Sequence, residues 1–173
     1  MNSTVTINLI RTVGLILAQV LILKRIAFHF GDFAFVHFLV YPMILLLLPL
    51  NTYRPLLMLI GFVIGLVVDG FYDSPGIHAM ACVFTAYIRV YILSVIEPFE
   101  GYGNNAYPTI EGLGLPWFLT YTSLGLGLHV LFYFSVEAFS FVFLFEILMN
   151  SIFSLIGSLV VVMLAMLIFN PKQ

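Results

Sequence analysis

Asp69 closes an apolar run that begins at Pro55, and His78 opens the next one nine positions later. A carboxylate at the edge of a hydrocarbon slab is costly unless it has a partner or a task. The two side chains flank one short turn, Asp73-Ser74-Pro75-Gly76, so both lie at one membrane face, where they can hydrogen-bond to each other. Pro75 and Gly76 suit the reversal, and Ser74 or Asp73 is the expected cap of the next helix. Behind Asp69, Gly61 and Gly65 recur at intervals of four, which puts all three on one helix face. Small residues there let another helix approach closely. Gly61, Gly65, Asp69, Gly76 and His78 are therefore the candidate partner-binding residues, with Asp69 open to two roles, anchoring its turn or contacting a partner.

Other polar residues also fall into helical register. One row is His78, Cys82, Thr85 and Arg89; a second is Thr122, Gly125, His129, Tyr133 and Glu137; a third is Glu146, Asn150, Ser154 and Ser158. These rows are expected to face inward. Packing is the ordinary role of Gly, Ser and Thr at such positions, so the chemistry of a secondary polar seam would rest on Arg89, His129, Tyr133, Glu137 and Asn150. Arg89 lies eleven residues beyond His78, about 16 Å further along the helix, and is expected to snorkel to the opposite headgroups.

No catalytic or metal-binding constellation accompanies them. His29, His37, His78 and His129 sit in separate segments, without the i, i+4 spacing of a metalloprotease helix. Ser151, Ser154 and Ser158 have no paired base in sequence, and a phosphate-binding Gly-rich loop ending in Lys and Ser or Thr is missing. Cys82 is the single cysteine, which rules out a disulfide framework. The expectation is a protein that is not an enzyme and carries no cofactor or metal.

The elements that must position these residues emerge from composition. With 62% hydrophobic and 8% charged residues, there is too little polar surface to cover a water-soluble globule. The chain is thus expected to be an all-α integral membrane protein in a lipid bilayer. A formal charge of -2 with six scattered Lys and Arg excludes the concentrated basic surface that nucleic acid requires. Since a span needs roughly 20 apolar residues, the charged and Pro/Gly clusters divide the sequence into about six transmembrane helices. They lie near 9–30, 35–50, 55–72, 77–96, 116–137 and 146–169, form one polytopic domain over 1–173, and leave one long polar loop at 97–115. The opening MNSTVTINLI has no basic n-region, and the apolar run after Arg11 meets Lys24 and Arg25, so a retained first span is expected rather than a cleaved signal peptide. Placing both termini in the cytoplasm puts Arg11, Arg54, Arg89 and Lys172 inside against Lys24 and Arg25 outside, the orientation that basic residues favour.

The block from Tyr41 to Tyr91 resembles the bacterial rod-shape-determining MreD family. Its family pattern of an early Pro, a short break and a Gly-containing span ending in Gly, three hydrophobics and Asp is met by Pro42, the break 51–55 and Gly65-Leu66-Val67-Val68-Asp69, with Gly76 after the turn. About fifty residues match in this way, and the remainder agrees in hydropathy. The resemblance implies a non-enzymatic plasma-membrane scaffold subunit of the cell-elongation machinery. Such a subunit docks an MreC-like bitopic protein and helps direct lateral peptidoglycan synthesis in a complex with MreB-like cytoskeleton and peptidoglycan synthases. It also implies likeness to the six-helix S-component fold of energy-coupling-factor transporters, and hence an alternative function as a vitamin-binding or transport subunit, lined by His129, Tyr133, Glu137 and Asn150.

Overall fold

The computed structural model describes residues 12–25, 28–29, 35–103, 107–139 and 141–169. It is a helical bundle whose only strand pairing, among the described residues, is a two-residue antiparallel contact of β1 (Phe28–His29) with β2 (Phe35–Val36). Among the described residues, four helices are long and apolar enough to cross a membrane: α3 (Arg54–Tyr72), α4 (Ile77–Val95), α6 (Leu115–Ala138) and α7 (Leu144–Phe169). Each starts or stops where the backbone is told to. Pro55 and Pro116 occupy the first turns of α3 and α6, positions where a missing N–H costs no helical hydrogen bond. Asp73 and Phe139 end those helices in the left-handed conformation, with φ of 53° and 44°.

The four long helices match the expected spans to within two residues at every described end. Within the described residues, the other two expected spans do not form long helices. Residues 12–25 are helical but change pitch, passing into a π turn at Ala18–Ile22 and a 3-10 turn at Leu23–Arg25; this segment is α1. The rest of the expected span 9–30 lies mostly outside the described residues. Within 35–50 only α2 (Met43–Leu46) is helical. Pro42 forbids a helical N–H bond and biases Tyr41 away from helical geometry, and Pro49 keeps the short helix from continuing.

This broken segment is nonetheless the centre of the molecule. Leu39, Val40, Tyr41, Met43, Leu45 and Leu46 are each no more than 3% exposed. It enters beside Tyr133 and Phe134, where the His37 ring packs, and leaves beside Arg89. The long helices wrap it, with α3 against α4, α4 against α6 and α6 against α7 as the main packings. Their outward faces are apolar, as with Leu59, Phe62 and Leu66 on α3 and Ile152, Ile156 and Val160 on α7. Such faces suit lipid contact.

The loop expected at 97–115 contains the one-turn helix α5 (Ile110–Leu113), capped by the Thr109 hydroxyl accepting from the Gly112 N–H at 3.3 Å. It is tied to the end of α4: Tyr102 donates to the Leu93 carbonyl at 2.8 Å, and the Trp117 indole donates to the Ile96 carbonyl at 3.0 Å. Amphipathic rings in this position match the aromatic belt of a membrane interface.

Candidate functional site

Irregular backbone at membrane depth is tolerated only where its polar groups find partners inside the protein. Segment 36–50 meets that condition through side chains from four helices. Ser154 and Ser158 on α7 accept from the backbone N–H of His37 at 2.9 Å and of Leu39 at 2.8 Å. Gln19, turned inward from the π turn of α1, accepts from the Val40 N–H and donates to the Phe38 carbonyl, both at 2.8 Å. At the other end Tyr121 on α6 donates to the Leu46 carbonyl at 2.9 Å. Arg89 on α4 donates to the Leu48 carbonyl at 2.5 Å, to Pro49 at 3.3 Å and to the Tyr121 hydroxyl at 2.8 Å.

Arg89 therefore does not snorkel. It is 1% exposed, because carbonyls freed at the C-terminal end of α2 draw a cation inward, where the helix dipole also favours it. Helical spacing does not single out the serines or Tyr121 for this role. Pro42, Pro49 and Gln19 in an otherwise apolar run are the signals that could have pointed to it.

Asp69 performs a second repair at the opposite membrane face. Helix α4 starts from Gly76, at φ 89°, which has no side chain to cap it. The Asp69 carboxylate, reaching across from α3, instead accepts the N–H groups of His78 at 2.9 Å and Ala79 at 3.0 Å, the second and third of α4. It also accepts from the His78 ring Nδ1 at 3.0 Å and the Ser74 hydroxyl at 3.2 Å. The expected cap by Ser74 or Asp73 is thus replaced: Asp73 is committed to ending α3, and Ser74 supports the carboxylate and the His78 ring. This is an anchoring role, and it gives the carboxylate the hydrogen bonds that its 5% exposure demands.

The His78 ring lies among Tyr72, Tyr133 and Tyr41, with centroid distances of 4.7, 4.9 and 5.6 Å. Its Nε2 has no hydrogen-bond partner among the described residues, since each tyrosine hydroxyl is committed elsewhere. Tyr72 pairs with Gln19, Tyr133 with Glu137 at 3.2 Å and Tyr41 with His129 at 2.7 Å. His129 is held at both nitrogens. Thr85 gives its proton to the Ala81 carbonyl, so its oxygen receives the His129 Nδ1–H at 2.7 Å, and Nε2 accepts from Tyr41.

Gly61 and Gly65 are filled from within. A Cβ at Gly65 would lie 2.3 Å from the Ala79 Cα and 2.7 Å from the His78 carbonyl oxygen, and one at Gly61 would lie 3.1 Å from the Cys82 carbonyl oxygen. Their close-approach face is occupied by α4 of the same chain, so the expected docking groove for a partner helix is not available there. Gly65→Ala should lower the midpoint of thermal unfolding in detergent by several degrees, because backbone has to move to admit the methyl group. Gly70→Ala, whose added Cβ meets nothing within 4 Å, should leave it unchanged; equal midpoints for the two variants would refute this placement.

The secondary seam separates into two groups. Arg89, His129 and Tyr133 are buried, whereas Glu137 is exposed and Asn150 half-buried. Glu137 and Asn150 border, with Glu146, a hollow of about 200 Å³ between α6 and α7, and His129 is not part of it. Among the described residues no group of three or more His, Cys, Asp or Glu is placed to hold a metal ion. No protein-family model matches the chain, and no curated protein or solved structure matches it either.

Proposed function

We propose that this chain is a multi-pass, non-enzymatic scaffold subunit of a bacterial plasma membrane, working as MreD-like proteins do in the cell-elongation machinery. In this reading α1 and segment 36–50 are passes alongside the four long helices, which makes six and puts both termini on one side, the cytoplasmic side by the preference of the basic residues. One observation carries the proposal: the block in which the resemblance lies, Tyr41 to Tyr91, packs on itself as a single unit. Tyr41, following the broken entry, meets the His78 ring; Leu45 packs at Gly61; Gly65 admits Ala79; and Asp69 caps α4. Most of the seam polar groups are engaged in holding that unit together, which suits a rigid docking platform.

The partner would be an MreC-like bitopic protein within a complex containing MreB-like cytoskeleton and peptidoglycan synthases. With the Gly61 and Gly65 seam filled by α4, its transmembrane helix would meet an outward, lipid-facing surface. Affinity purification of the full chain from native membranes in mild detergent should recover a bitopic membrane protein, and depletion should round rod-shaped cells. Recovery of no such protein, with cell shape unchanged on depletion, would refute the proposal. The S-component-like vitamin binder draws its support from the hollow beside Glu137, Glu146 and Asn150 alone. A thermal-shift screen separates the two readings, because a tight ligand raises the unfolding midpoint by mass action.

A further inference from the structure

On the outer side of α3 and α4 runs an open groove with a volume of about 580 Å³. Small side chains create it: Gly76, Ala79 and Val83 form its floor, between Phe62 and Leu66 on one wall and the stacked rings of Phe84 and Phe132 on the other. Those two rings lie 4.2 Å apart and 5° from parallel, so that wall is stiff.

At one end the groove meets a cation. Arg54 begins the stripe Arg54, Met58, Phe62, Leu66, spaced by four along α3, and its guanidinium lies 4.3 Å from the centre of the Tyr87 ring, itself part of the groove lining. The Tyr91 ring is 5.1 Å away, and its hydroxyl accepts from Arg54 at 3.3 Å. Among the described residues no carboxylate lies within ion-pair distance of Arg54. The cation is held in place by two aromatic faces at the start of a spanning helix, where headgroups lie, with no counter-charge among the described residues.

From Arg54, beside the mouth of the groove, to Leu66 is roughly 18 Å at ~1.5 Å per residue, and Gly76 carries the floor on to the turn at the opposite membrane face. One leaflet of a ~30 Å hydrocarbon core is about 15 Å deep. We propose that this groove is a binding site for one anionic phospholipid, one of its acyl chains lying between α3 and α4 and its phosphate paired with Arg54. An apolar lining long enough for an acyl chain and a cation at headgroup level with no carboxylate partner among the described residues favour that occupant. The site is independent of the rod-shape reading and requires only that the long helices cross a bilayer.

The test is lipid retention by the full-length chain, purified in mild detergent from vesicles of equal parts phosphatidylglycerol and phosphatidylcholine and examined by native mass spectrometry. Wild-type protein should carry one phosphatidylglycerol in preference to phosphatidylcholine, and added glycerol phosphate should not displace it. Arg54→Gln should reduce that preference about fivefold, the effect of one basic residue near a membrane surface. Val83→Trp, which fills the groove floor, should abolish retention of either lipid, with circular dichroism establishing that it remains folded. If Val83→Trp does not fold, Met80→Trp on the groove rim supplies the same readout. Equal phosphatidylglycerol retention in wild type and Arg54→Gln would overturn the proposal. So would displacement by glycerol phosphate, or loss of a co-purifying membrane protein from the groove-filled variant while lipid retention stays intact.

Discussion

Replacing Arg89 with Met should lower the stability of the protein by about 3–5 kcal/mol, the cost of leaving one buried carbonyl unpaired at ~1–3 kcal/mol and of losing a charge-assisted hydrogen bond at ~1.5–3 kcal/mol. In a detergent thermal unfolding curve this corresponds to a fall of roughly 10 °C in the midpoint. Met keeps much of the side-chain volume, so the loss reports the hydrogen bonds and not a cavity. The Leu48 carbonyl would be orphaned, and the Tyr121 hydroxyl would lose its Arg89 donor but keep its bond to the Leu46 carbonyl, as Pro49 keeps Thr52. Arg89→Lys should fall between the two, because one ammonium can reach a carbonyl but cannot reproduce a planar fork spanning a carbonyl and a hydroxyl. A side chain that merely snorkelled to headgroups would give Met and Lys variants close to wild type; that result would remove Arg89 from its role as clamp of segment 36–50.

The same segment marks the limit of what the residues reveal before folding. Hydropathy measures whether a stretch is apolar and long enough, and on that criterion α3, α4, α6 and α7 are fully legible. It does not measure whether the backbone can satisfy its own hydrogen bonds. Residues 35–50 are as apolar as a span, yet Pro42 and Pro49 leave only four residues helical, and the unpaired N–H and C=O groups have to be met from outside. That requirement accounts for Gln19, Ser154, Ser158, Tyr121 and Arg89 as one set, although they are distant in sequence and fall in four different helices. Helical spacing indicates that Arg89, Ser154 and Ser158 face inward, but not what they face. Likewise the spacing of Gly61, Gly65 and Asp69 correctly indicates a close helix approach. It carries no information on whether the approaching helix belongs to the same chain.

Asp69→Ala should cost about 2–4 kcal/mol, as loss of an N-terminal cap together with loss of the acceptor for the His78 ring. Asp69→Asn is the sharper probe. Its single carbonyl oxygen can serve one side of the carboxylate's four contacts, but its amide must then point donors at a backbone N–H or at the Ser74 hydroxyl. More than half of the Ala penalty should therefore remain. Hydrogen exchange locates the effect: the His78 and Ala79 amides should exchange faster in both variants, with amides near the middle of α4 much less changed, because opening begins at an uncapped end. A partner-contact role makes the reverse prediction, with normal exchange at His78 and Ala79 and a selective loss of the co-purifying membrane protein. The geometry favours the first outcome, since both carboxylate oxygens are already engaged within the chain. Protection of those two amides in Asp69→Ala at the wild-type level would show that α4 does not depend on Asp69 for its start.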